Sequence, residues 1–270
     1  MESVQLIEQW PVPSAAVAVV AADGRVLGSY GDTSRVFPLA SVTKLLTAYT
    51  TLIAIEEGAV ELDEQAGPEG ATIRHLLAHT AGLAFDEQKV LAEPGTRRMY
   101  SNAGFEQLAS AVQDRSGIPF PQYLTEALLE PLGMADTSLD GSPAAGVSST
   151  VDDLTRFAAE LQRPTLLDEH TLRDATTVAF PGMDGVLPGY GRQRPNDWGL
   201  GFELRDHKDP HWTGKHNSQE TFGHFGQSGT FLWVDPKAQA ACVCLAERAF
   251  GPWAIEAWPA FSDAVLAELG

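Results

Sequence analysis

The first strong pattern along the chain is an almost unbroken apolar run, Ala15 to Ala22, followed by Asp23-Gly24 and then Arg-Val-Leu-Gly-Ser-Tyr to Tyr30. Two such stretches around an Asp-Gly pair predict a β-hairpin, because that pair suits the positive φ angles of a tight turn. Beyond it the period changes. Apolar and good helix-forming positions recur at helical spacing from Ser41 to Ile55, Pro38 blocks a helix upstream and Gly58 suits a helix end. A helix is therefore predicted from at or just before Ser41 to about Glu57. The same spacing predicts helices over Thr72–His79, Asn102–Ser116, Phe120–Leu129 and Thr150–Leu161, with Gly or Pro between them. Residues 165–197 break the pattern with Pro181-Gly182, Gly185, Pro188-Gly189, Gly191 and Pro195. An irregular stretch of that length in a compact domain is more often functional or mobile than incidental. Period-two alternation then predicts strands at Gly199–Leu204, Thr221–Trp233 and Gln239–Leu245, with a turn at Asp235-Pro-Lys-Ala between the last two. An amphipathic helix, interrupted or kinked near Pro259, closes the chain from Trp253 to Leu269.

Strands at both ends around a helical middle predict an α/β (α+β) fold in a single 270-residue domain. The expected division is a strand-and-helix part at about 1–40 and 198–270, with a mostly helical part at about 41–197 inserted between. Acidic side chains outnumber basic ones 36 to 18, a net charge of −18. Such a field repels phosphate backbones and anionic lipid, so neither nucleic acid nor a membrane surface is an expected partner. It also disfavours strongly anionic substrates unless a local basic site overrides it. Cys242 and Cys244, the only cysteines, would share one face of a strand as small buried hydrophobes. Glu2 and Glu8 stand where a signal peptide would be basic, and no apolar run is long enough for a membrane span, so a cytoplasmic location is expected.

Candidate chemistry begins with Ser41-Val-Thr-Lys44. Residues three apart share a helix face, so the Ser41 hydroxyl and Lys44 amine can meet. A desolvated, neutral lysine can take the proton that keeps a serine hydroxyl unreactive. The spacing alone also fits a surface serine and lysine on an amphipathic helix. A second group, Tyr100-Ser-Asn102, precedes a helix: Tyr100 could pass a proton to or from Ser41, while Asn102 could orient Lys44 or serve as an N-cap. A third, His224-Phe-Gly226, lies in a glycine-rich strand, and glycine there lets a ligand or another backbone approach closely. His75 and His79 have the i, i+4 spacing of zinc helices but lack the accompanying glutamate, and point to packing or capping. His207, His211 and His216 are expected to be solvated. Neither a metal nor a nucleotide cofactor is expected.

Taken in this order, the three groups resemble the signatures of the serine β-lactamase and penicillin-binding-protein superfamily, in its class C, DD-peptidase and family VIII esterase branch. Leu76-Leu-Ala-His-Thr-Ala-Gly-Leu, Pro94-Gly-Thr, Pro131-Leu-Gly-Met-Ala-Asp-Thr, Gly199-Leu-Gly-Phe and Leu232-Trp-Val-Asp-Pro are also similar to that branch. The resemblance runs from about residue 12 to the end. It implies an antiparallel sheet flanked by helices, an acylated Ser41, Lys44 as its proton partner and Tyr100 as general acid or base. Asn102 would contact lysine and substrate, and His224 would take a place where many relatives have lysine. The backbone N–H groups of Ser41 and Gln227 would form the oxyanion hole.

Two departures refine the expectation. Phe225 stands where many relatives have a hydroxyl that helps hold a substrate carboxylate, and the chain is short for the branch, so a trimmed insertion and an open pocket are expected. The missing hydroxyl, the acidity and the lack of an export signal favour a cofactor-free esterase or amidase acting on a small neutral substrate. The alternatives are a β-lactamase or D-alanyl-D-alanine carboxypeptidase, and a sensor or binding homologue that does not turn over. The oligomeric state is left open.

Overall fold

The apolar run at 15–22 forms β1 (Ala15–Ala21), paired across the Asp23-Gly24 turn with β2 (Val26–Tyr30). The computed structural model describes all residues from Met1 to Gly270. After β3 (Phe37–Pro38) and a tight turn at Ala40–Val42 come α1 (Thr43–Glu56), α2 (Ile73–Leu77) and α3 (Asn102–Ser116). Next, α4 (Phe120–Leu124) runs through a wide turn at Thr125–Leu129 into α5 (Glu130–Leu132). β4 (Ser138–Leu139), β5 (Val147–Ser149), α6 (Val151–Gln162) and α7 (Glu169–Ala175) lead to a hairpin of β6 (Gly185–Leu187) and β7 (Gly191–Gln193). β8 (Glu203–Leu204), β9 (Phe222–Gly226), β10 (Thr230–Asp235), β11 (Ala240–Ala246) and α8 (Pro252–Leu269) complete the chain.

The main sheet is antiparallel throughout, in the order β2-β1-β11-β10-β9-β8, so the chain's two ends meet where β1 pairs with β11. Helices cover both of its faces, which is why its central strands read as continuous apolar runs. Alternate residues serve separate cores: Val17, Val19, Trp233, Cys242 and Cys244 pack with Trp253, Trp258 and Phe261 of α8. Their neighbours Ala16, Ala18, Val20, Leu232 and Val243 join the larger core that contains α1 and α6. Local signals set the helix starts. The Thr150 hydroxyl accepts the Asp153 N–H at 3.1 Å to cap α6, and Thr72 and His75 cap α2 reciprocally. No helix is long and apolar enough to cross a membrane.

Several expectations needed correction. Thr221–Trp233 is two strands, not one, with a turn at Gln227-Ser228-Gly229 in which Gly229 has φ +90°. Residues 165–197 contain α7 and the β6–β7 hairpin. The Pro-Gly density that suggested irregularity supplies the hairpin turn, where Gly189 and Gly191 take φ +78° and +77°. The period-two pattern at Gly199–Leu204 yields only Glu203–Leu204 as ladder. α8 passes through Pro259 as one helix.

His211 is the clearest miss, because it is buried rather than solvated. Its Nε2 donates to Glu203 at 2.9 Å, the Trp212 indole donates to the same carboxylate at 2.7 Å, and the buried Lys208 ammonium pairs with its other oxygen. Burial works to raise the Glu203 pKa, but the neighbouring His211 and Lys208 prevail and hold it at about 2. This group ties the segment 205–213 to the edge strand β8. Glu203→Ala would leave the Lys208 charge buried without a counter-ion, a change that typically costs about 3–5 kcal/mol. Urea denaturation should show a destabilisation of that size; a loss below about 1 kcal/mol would mean that other contacts hold the segment.

Candidate active site

Ser41 sits in the tight turn that enters α1, half-buried, with Ala40 before it at φ +46°. An L-residue held in that left-handed region costs on the order of 1–3 kcal/mol, so surrounding contacts must fix the turn. Two do so from opposite sides: Leu39 N–H donates to Val147 at 2.9 Å, and Thr230 Oγ1 donates to the Leu39 carbonyl at 2.8 Å. Gly226 completes the fit. A Cβ there would collide with the Leu39 carbonyl and the Thr230 hydroxyl, so only glycine lets the end of β9 lie against the turn. The Gln227 N–H, just beyond β9, donates to no acceptor in the chain.

Lys44, in the first turn of α1, is completely buried, and its amine touches no carboxylate. It donates to Asn102 Oδ1 at 2.5 Å and to the Ala144 carbonyl at 2.9 Å. Two threonines of α1 hold the loop bearing Ala144, since Thr47 Oγ1 donates to Pro143 at 2.6 Å and Thr43 Oγ1 accepts the Val147 N–H at 3.1 Å. Burial lowers the Lys44 pKa to about 7, while Asp86 and Glu106 act in the raising direction without reversing it. Relative to an ordinary lysine at 10.5, the neutral fraction at pH 7 rises from roughly one in three thousand to about one half. The amine also lies 4.7 Å from the centre of the Tyr100 ring.

Tyr100 presents its hydroxyl to the same place. Burial raises its pKa above the ordinary value and the adjacent Ser41 hydroxyl lowers it less, so the phenol stays protonated. Around it stand His79, Trp198 and His224, with ring centres 4.6, 5.8 and 5.6 Å from that of Tyr100. Of the chain's twelve buried side-chain polar atoms without a hydrogen-bond partner, four belong to these residues: Tyr100 Oη, His79 Nε2, Trp198 Nε1 and His224 Nε2. Such atoms are costly to leave unpaired, and their concentration in one ring cluster marks a place built to receive polar groups. His224 Nδ1 lies 2.6 Å from the Phe225 carbonyl, which can only accept, so Nδ1 carries the proton and Nε2 offers a lone pair. Burial and the nearby Lys44 push its pKa down to about 3, leaving it uncharged. Phe225, next on the strand, turns away and packs on Phe250 and Trp258 in the core under α8.

Ser41, Lys44, Tyr100, Asn102, His224, Gly226 and Gln227, drawn from three distant segments, therefore surround one site. Asn102 is not the N-cap, however. Ser101 takes that place, its hydroxyl accepting the Gly104 N–H at 3.0 Å, and Asn102 is freed to bridge Lys44 and Asp86, whose Oδ1 accepts its Nδ2 at 2.7 Å. Sequence reading missed Asp86, Ala144 and Trp198. Asp86 lies in a loop without a motif, Ala144 acts through its backbone, and only the neighbouring Gly199-Leu-Gly-Phe hinted at Trp198. His79 lies beyond the end of α2 at φ +57°, and its Nδ1 accepts the Ser101 N–H at 3.1 Å. The arrangement combines a hydroxyl, a half-neutral amine, a protonated phenol and a free N–H, a set suited to acyl transfer.

Several known proteins are similar to this chain in sequence or in fold. A sequence model of the Beta-lactamase family matches residues 5–263. The crystal structure of a beta-lactamase from Mycobacterium bovis is 60% identical in sequence, covers 99% of each chain and superposes with a TM-score of 0.97. EstCE1, described as a hydrolase with promiscuous acyltransferase activity, shares the fold at a TM-score of 0.80 and 19% identity, over 98% of this chain and 96% of its own. The D-alanyl-D-alanine-carboxypeptidase/endopeptidase AmpH of Escherichia coli is 29% identical in an alignment of 179 positions, gaps included, that covers 48% of this chain and 46% of AmpH. The matched stretch is thus about half the length of that curated relative.

Gly226→Ala tests whether the approach of β9 to the Ser41 turn matters. A displacement of about 1 Å at a reacting centre can cost on the order of 100-fold in rate. Acylation of Ser41 by p-nitrophenyl acetate, followed by intact mass, should slow by about that factor; an unchanged rate would show that the turn keeps its place without the glycine.

Proposed function

This chain belongs to the beta-lactamase family of serine hydrolases, and on that premise we propose that it hydrolyses carboxylic esters or amides that carry no charge beside the scissile carbonyl, through an acyl-Ser41 intermediate. The observation that carries the reading is the fully buried Lys44 amine, hydrogen-bonded only to the neutral oxygens of Asn102 and Ala144 and set over the ring of Tyr100, whose hydroxyl meets Ser41. In its neutral form Lys44 takes the Ser41 proton as Oγ attacks the substrate carbonyl. The negative charge that develops is received by the N–H groups of Ser41 and Gln227, where each such donor is worth about 2.7–4 kcal/mol. On collapse, Tyr100 gives its proton to the departing oxygen or nitrogen and regains one from the Lys44 ammonium. Water then attacks the acyl-enzyme with the same groups working in reverse.

Preference for a substrate uncharged beside the scissile carbonyl rests on His224 and Phe225. A ring that is uncharged and presents a lone pair repels a carboxylate, and no hydroxyl stands at 225 to hold one. The second reading, β-lactam hydrolysis, is favoured by the 60% identity to a protein described as a beta-lactamase. A substrate panel separates the two, since faster turnover of a chromogenic cephalosporin than of simple esters would select the second. On the first reading, His224→Lys should improve cephalosporin turnover relative to the ester.

Ser41→Ala should abolish both turnover and the acyl adduct seen by intact mass with an activated short-chain ester. If the wild-type protein forms no adduct with any ester, amide or β-lactam probe, the reading fails. The pH profile offers a separate check. Because the neutral amine is the active form, kcat/KM should fall about tenfold per unit below a midpoint near pH 7. Asp86 acts to raise the Lys44 pKa, so Asp86→Asn should move that midpoint to lower pH.

A further inference from the structure

A cleft of about 710 Å³ has Tyr100 in its lining. One wall is the loop that carries Leu83, Phe85 and Leu91, and the other is the β6–β7 hairpin with Val186 and Pro188. Phe85, Leu91 and Val186 are 51%, 51% and 60% exposed, three of only eight large hydrophobic residues so exposed in the whole chain. Exposed apolar groups gathered around a concave site mark a binding surface rather than chance.

The walls are joined by a buried cation. Arg98 donates to the carbonyls of Ala78 (2.5 Å), Ala179 (2.7 Å), Phe180 (3.0 Å) and Asn196 (3.1 Å), which fastens the hairpin-bearing segment to the segment that carries Tyr100. The guanidinium hydrogen-bonds only carbonyls, and Asp197, near enough to act on its charge, makes no ion pair with it. Arg97 lines the cleft from an exposed position. Asp184, the single acid in the lining, is already engaged by Arg192 at 2.8 Å and Arg194 at 3.4 Å, which leaves Arg97 without a carboxylate partner. In a protein of net charge −18 this is a local positive site with apolar walls.

We infer that this cleft receives the larger half of the substrate, an apolar or aromatic body that carries an anionic group away from the scissile bond. Phe85, Leu91 and Val186 cover the body, and Arg97 meets the anion. The inference rests on the acyl-Ser41 reading for the reaction but not for the binding. It also reconciles two charges: His224 rejects an anion beside the nucleophile, while Arg97 accepts one at the far end. The acidic remainder of the surface keeps anions without an apolar body at a distance.

The test is binding to the Ser41→Ala protein, which cannot be acylated. The probes are 1-anilinonaphthalene-8-sulfonate, an aromatic anion, and N-phenyl-1-naphthylamine, the same body without the sulfonate. Arg97→Gln should weaken the sulfonate about five- to tenfold, in the range of a charge-assisted contact, and leave the neutral probe unchanged. Phe85→Ser should weaken both. No saturable binding, binding indifferent to both substitutions, or equal losses for the two probes in Arg97→Gln would overturn the inference. Failure here leaves the acyl adduct of wild-type Ser41 untouched, and absence of that adduct leaves this binding result untouched, so the two ideas fail separately.

Discussion

The arrangement depends on keeping one ammonium-forming group out of water without giving it a counter-ion. A carboxylate in contact with Lys44 would hold it charged and useless as a base. Asn102 prevents that contact by standing between them, its amide oxygen toward the amine and its NH2 toward Asp86. The amide dipole is thereby oriented at both ends, and the acid influences the lysine only from a distance. Three chain segments must converge for this, since the amine comes from α1, the amide from α3 and the second acceptor from the loop before β5. The larger hydrophobic core, which contains residues of all three, supplies the free energy that offsets the desolvation.

The sheet contributes precision. β9 is held between β8 and β10, and its glycine end is pressed against the turn before Ser41. The position of Ser41 is thus set by contacts from two elements far apart in sequence. The edge of the sheet is kept in place by the buried Glu203, whose partner across the ladder is Gly223, next to His224. The surroundings of the third motif are therefore tied to the buried charged cluster of Glu203, Lys208 and His211.

Much of this was legible in the residues. The hairpin at Asp23-Gly24, the helix at Ser41 and the closing helix follow from periodicity and turn chemistry. The ordering of Ser41-x-x-Lys44, Tyr100-x-Asn102 and His224-x-Gly226 pointed to a single cleft. What escaped was of two kinds. Tight turns inside glycine-rich runs, at 188–191 and 227–229, were hidden because glycine is compatible with strand, turn and loop alike. Contacts made by backbone carbonyls or by residues outside any motif, Ala144 and Asp86 above all, leave no periodic trace. His211 was misjudged because its partner Glu203 lies eight residues earlier, on an element too short to announce itself.

Adjacent residues on a strand point in opposite directions, and on β9 that parity separates two tasks. His224 faces the reactive cluster, while Phe225 belongs to the aromatic packing beneath α8. A change of side chain at 224 therefore leaves the tryptophan-rich packing under α8 in place. The same geometry ties 225 to volume, since a hydroxyl side chain there would leave the space of the ring to be refilled.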